Sequence, residues 1–127
     1  MARITEDYIS FETAKLLIKK GFDYNSEYDS YYTFGGIIVY FADRPQDLNI
    51  APRVTLQMAM KWLRKEHNIH IQIWILEEKG YWFDVEKILN AQYKHKSLYS
   101  TGLEDIYFES YEEACESAIK YSLENLI

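Results

Sequence analysis

Ile69, Ile71, Ile73 and Ile75 alternate without a break with His70, Gln72, Trp74 and Leu76. Side chains point to opposite faces at every step of an extended strand, so this period of two puts four isoleucines on one face and the other four residues on the opposite one. The stretch therefore belongs to a sheet with one buried face. Tyr81 to Ile88 follows across Glu77-Glu78-Lys79-Gly80, which makes a hairpin, and its register decides which residues share each face. A plain register pairs Ile75 with Trp82 and Ile73 with Asp84, burying a carboxylate beside the isoleucines. A bulged turn with Gly80 at positive φ pairs Ile75 with Phe83 and Ile73 with Val85, and is the register expected. Trp74, Leu76, Trp82, Asp84 and Glu86 then join His70 and Gln72 on the far face.

Something apolar must cover the isoleucines, and three amphipathic segments are available. Ser10 can cap a helix reaching Lys20, with Phe11, Ala14, Leu17 and Ile18 on one side and Gly21 at its end, where Phe22 folds back on Leu17. Thr55 can cap a second, striped by Leu56, Ala59, Met60 and Leu63, closed by Asn68 and carrying Arg64, Lys65 and His67 at its negative end. Ser110 and Glu113 form a capping box for the third. Its stripe is Tyr111, Ala114, Cys115, Ala118, Ile119, Ser122 and Leu126, with Glu116 and Lys120 placed on the solvent side.

Tyr31 to Phe34 and Ile37 to Phe41 read as short strands separated by Gly35-Gly36, the second apolar enough for burial on both faces. Asp43 to Asp47 is turn chemistry, and Pro52 closes a linker. Residues 89–104 carry no clear period; Tyr93 to Lys96 reads as extended, Thr101-Gly102 as a turn and Ile106 to Phe108 as a last short strand. No internal repeat or flexible linker divides the chain. The expectation is one α+β domain spanning 1–127, of order α-β-β-α-β-β-β-α, with three helices over the isoleucine face of an antiparallel sheet.

At 127 residues such a domain buries roughly two thirds of its unfolded surface without a staple. A single cysteine precludes an internal disulfide, the first residues lack the apolar stretch of a secretory signal, and no apolar run approaches membrane-spanning length, so the cytoplasm is the expected compartment and membrane insertion is not. The net charge of −6 works against phosphate backbones and anionic lipid. Twelve Tyr, six Phe and three Trp supply more aromatic surface than one small core readily hides.

Three phrases resemble a family of small uncharacterised proteins encoded by phages, prophages and other mobile elements of gut anaerobic bacteria. They are Tyr8 to Leu17 with Lys20-Gly21-Phe22-Asp23, Leu56 to Arg64 with His67 to Ile71, and Ser110 to Cys115. The resemblance covers the helices and the first hairpin strand, and implies a cytoplasmic protein carried by mobile DNA. It transfers no activity, cofactor or catalytic residue.

Few residues suggest chemistry. His67 and His70 have H-x-x-H spacing but straddle a helix end and a strand start, without the third or fourth ligand that zinc requires; no metal and no cofactor are expected. Cys115 lies on an apolar stripe, where a thiol stays protonated and inert. Asp84 and Glu86, two apart on one strand face near His70, are the minimum for a hydrolytic acid and base. Gly35-Gly36 lacks the lysine of a phosphate loop, and Lys61, Arg64, Lys65, Lys94 and Lys96 are interleaved with acids. The aromatic residues remain. Trp74, Leu76 and Trp82 share the far face of the hairpin, and Tyr24, Tyr28, Tyr31 and Tyr32 crowd one segment. Either a helix covers that face and the tryptophans are core, or they are exposed and mark a binding surface or dimer seam. The leading expectation is a non-catalytic binding protein acting on a protein partner or a second copy of itself through Trp74, Leu76, Trp82, Tyr28, Tyr31, Tyr32 and His70. The alternative is a small-molecule binder whose tyrosines and tryptophans stack on a nucleotide-like ligand in a concave pocket that includes Tyr28, Tyr32 or His70.

Overall fold

Each helix begins where a side-chain oxygen meets its first turn. The structure is a computed structural model describing residues 4–22, 30–33, 35–40, 50–89 and 94–127. Ser10 Oγ accepts from Thr13 N at the start of α1 (Phe11–Lys19), Thr55 from Met58 N at α2 (Leu56–His67), and Ser110 from Glu113 N at α3 (Tyr111–Asn125). The ends follow equally from residue type. Gly21 takes φ +97° while Phe22 N bonds back to Leu17 O, and Asn68 closes α2 at φ +56°. The capping box of α3 is displaced by one residue, because Glu113 Oε2 accepts from Glu109 N.

The strands are β1 (Ser30–Thr33), β2 (Ile38–Tyr40), β3 (Ile50–Pro52), β4 (Ile69–Leu76), β5 (Gly80–Ile88) and β6 (His95–Ser100). They give the order α-β-β-β-α-β-β-β-α, a single α+β domain with one strand more than expected and two antiparallel sheets in place of one: β2-β1-β3 and β4-β5-β6. The added strand β3 ends at Pro52, read from sequence as a linker. Pairing Tyr32 with Ala51 on the sheet's edge leaves Pro52 in a place that tolerates its missing N–H. β2 corrects another expectation. Far from being buried on both faces, Ile37, Ile38 and Tyr40 are exposed, because β2 is a three-residue edge strand. Phe34 and Phe41 lie outside the described residues. Ile106–Phe108 reduces to one bridge, Tyr81 to Phe108.

The hairpin register sits two residues from the bulged one expected. Ile75 pairs with Tyr81 and Ile73 with Phe83, because β5 already starts at Gly80 and leaves Glu77–Lys79 to make the turn, with Lys79 N bonded to Leu76 O. A shift of two preserves side-chain parity, so every residue keeps its face. Gly80 does take positive φ, +117°, and it has a second duty: a Cβ there would lie 2.5 Å from Phe108 O, where the bridging segment crosses.

One core joins the isoleucine face to the helices. Ile69, Ile71, Phe83 and Val85 are buried with Leu17, Leu63, Cys115, Ile119 and Leu123, each large side chain contributing roughly 1.5–3 kcal/mol by leaving water. β6 is held to α3 by Tyr99, whose ring stacks on Tyr121 at 4.0 Å. The Tyr99 phenol donates to Glu104 at 2.6 Å, and that bond, with burial, pushes its pKa up to about 12.

Glu116 does not face solvent as its spacing suggested. Its Oε1 accepts from Ser10 N at 3.0 Å and from the buried Thr13 hydroxyl at 2.7 Å, tying α3 to the first turn of α1, while Lys120 reaches across to Glu12 at 3.1 Å. The two contacts differ in burial and hence in worth. Glu116→Ala removes the acceptor of the buried Thr13 hydroxyl proton and is expected to cost about 1–3 kcal/mol in chemical denaturation. Lys120→Ala, which removes an exposed ion pair, is expected to leave the midpoint nearly unchanged.

Candidate functional site

The far face of β4-β5-β6 runs from an apolar tip to a polar base. Cross-strand pairing sets its rows: Leu76 beside Gly80, then Trp74 beside Trp82, then Gln72–Asp84–Ser100, then His70–Glu86–Ser97. Neither tryptophan belongs to the core or packs against it, and among the described residues no helix supplies a cover. Trp74 is 46% exposed, Leu76 43%, and Ile75, on the opposite face beyond the reach of the core, 69%. Core packing on the isoleucine face thus extends as far as Ile73, while Trp74, Ile75 and Leu76 at the hairpin tip are exposed.

The tryptophans stack, with ring centroids 5.8 Å apart and planes inclined by 20°. Opposed aromatic residues across an antiparallel ladder contribute about 0.5–1.5 kcal/mol beyond their area. Trp74 Nε1 donates to Asp84 Oδ2 at 3.2 Å, which fixes the indole to the neighbouring row. Trp82 rests on the turn after β6: a Cβ on Gly102 would lie 2.7 Å from the indole Cε3, so glycine is what lets the ring lie flat. At the polar base Glu86 Oε2 meets His95 Nδ1 at 2.9 Å, and His70 Nε2 lies 3.4 Å from Gln72 Oε1.

The structure therefore brings Trp74, Trp82, Leu76 and His70 to one surface, and places the tyrosines elsewhere. Tyr31 and Tyr32 are buried on β1 of the other sheet, where the Tyr32 hydroxyl donates to Ile9 O at 2.6 Å and its ring packs on Phe11. Their aromatic character serves packing. Tyr28 and Tyr24 lie outside the described residues. His95 and Gly102 went unnoticed in the sequence, since His95 lies in an unpatterned stretch and Gly102 reads only as a turn residue. The two carboxylates proposed as acid and base are engaged on an open sheet, Asp84 by an indole and Glu86 by His95.

The remaining candidates fall into place. His67 packs edge-on against Trp62, with ring centroids 4.8 Å apart, and no group of three metal-ligating side chains converges among the described residues. Burial pushes the Cys115 thiol up to about 11, so it stays neutral at physiological pH. A concavity of about 290 Å³ opens at the N-terminal ends of α2 and α3, lined by Glu6, Asp7, Leu56, Gln57, Tyr111 and Glu112. It contains a single aromatic ring and none of the residues expected around a stacked ligand. No protein-family model, curated protein or solved structure matches the chain.

Two outcomes test this geometry. Gly102→Ala is expected to displace the Trp82 ring, changing the near-UV circular dichroism and costing about 1–3 kcal/mol, as overpacking does; an unchanged spectrum would refute the close approach. Cys115 is expected to be silent to an aromatic disulfide reagent at pH 8 until denaturant is added.

Proposed function

We propose that the chain is a non-catalytic docking protein that holds another protein against the open face and tip of the β4-β5 hairpin. The observation that carries this reading is the stacked Trp74–Trp82 pair lying outside the core on a sheet face that no described helix covers, with Trp74 and Leu76 exposed on that face and Ile75 exposed behind them at the tip. Rigid indoles bind at little entropic cost and are enriched among residues that dominate interface energetics. A flat sheet face suits a protein surface better than a small molecule, which calls for concavity. No helix among the described residues is long and apolar enough to cross a membrane. The resemblance of the helical segments to proteins of mobile elements supports a partner in the host of such an element.

Immobilised wild-type chain and the Trp74→Ala/Leu76→Ser variant, incubated with the same bacterial extract, test the reading by quantitative proteomics. Truncating a central tryptophan of an interface costs about 2 kcal/mol or more, so the partner recovered by the wild type is expected to fall by at least about tenfold. The variant should stay folded, since both side chains lie outside the core. Equal recovery of every protein by the two would sink the proposal. Native mass spectrometry of the wild type, run alongside, separates a foreign partner from a second copy.

A further inference from the structure

Resting on the reading that this face docks a protein, we infer that the surface it accepts presents arginine. Three features of the face converge on a planar cation. The ring faces of Trp74 and Trp82 carry the negative side of the indole quadrupole, and Trp74 is the half-exposed member of the pair. Asp84, half-buried in the adjacent row, accepts the Trp74 indole N–H through Oδ2 and forms no ion pair among the described residues. Glu86 adds a second carboxylate one row further, matched among the described residues by His95. The rows of the face contain no Lys or Arg.

Two cations near this face are engaged elsewhere. Lys79, at the turn, is drawn off by Asp105 at 3.2 Å and lies over the Tyr107 ring, and Lys87, whose position in the strand belongs to the isoleucine side, donates to His67 O at 2.9 Å. A guanidinium laid on Trp74 reaches Asp84 in the next row, which combines stacking with a charge-assisted hydrogen bond. The compact lysine ammonium can offer charge but not the plane. A second copy of the chain is the wrong occupant. Face to face it would set Asp84 and Glu86 against their own counterparts in a protein of net charge −6.

The probe is a pair of synthetic octapeptides of glycine and serine carrying either two arginines or two citrullines, the second an uncharged shape match of the first. ¹⁵N-labelled protein reports binding through the indole N–H signals of Trp74 and Trp82, with Trp62, packed against Phe22 and the core, as internal reference. The arginine peptide is expected to move the Trp74 and Trp82 signals and leave Trp62 in place, to bind about tenfold more tightly than the citrulline peptide, and to weaken as salt is raised. Asp84→Asn keeps an acceptor for the Trp74 indole but loses the charge, and should reduce arginine-peptide affinity about threefold to fivefold. Equal affinity for the two peptides, or an affinity indifferent to Asp84→Asn, overturns the inference. Either result leaves the docking reading standing if the proteomic comparison still distinguishes wild type from the Trp74→Ala/Leu76→Ser variant. Should that comparison show no difference, both fall together.

Discussion

The fold and the candidate site both depend on the parity of the β4-β5 ladder. Eight consecutive cross-strand pairs from Ile69–Lys87 to Leu76–Gly80 run without a bulge, so each side chain is committed to one of two faces. A slip of one residue would turn one strand over against the other, sending either Trp74 into the core and Ile71 into water or Trp82 into the core and Phe83 into water. A slip of two, the difference between the expected and observed registers, changes partners while leaving both faces intact. That tolerance is why the face of each residue could be read from sequence although the pairing could not.

The legible parts are those whose signal is local. Helix caps are written within four residues, and Ser10, Thr55 and Ser110 each accept the bond their position promised. Alternation in β4 is likewise local. β6 was illegible because His95 to Ser100 partly buries one large side chain, Tyr99, and a bulge opposite Val85 and Glu86 breaks the period that would reveal it. β3 was hidden for another reason: a three-residue strand ending in proline has no period to read, and its pairing with β1 is set by tertiary contact.

Burial failed to follow from apolar character in two places, with a common cause. Ile38 and Tyr40 on β2, Ile37 just before it, and Ile75 and Leu76 at the hairpin tip, are apolar because strands favour such residues, yet all are exposed. A sequence states that a residue can be buried; the lengths of neighbouring elements decide whether it is. The same logic separates Tyr31 and Tyr32 from Trp74 and Trp82. The tyrosines sit on the central strand of their sheet and are buried, whereas the tryptophans sit on a hairpin whose far face no described helix covers.

An aromatic pair on an open face could serve only to brace the hairpin, and the two roles make different demands on their neighbours. Bracing asks for ring contact across the ladder, which β-branched or aromatic residues of many kinds provide at about 0.2–1 kcal/mol per pair. It does not ask for a half-buried carboxylate in the next row, held by the indole N–H and lacking a cation. Asp84 forms no ion pair among the described residues. The cationic partner proposed above answers that carboxylate and the exposed ring surface of Trp74 with one occupant.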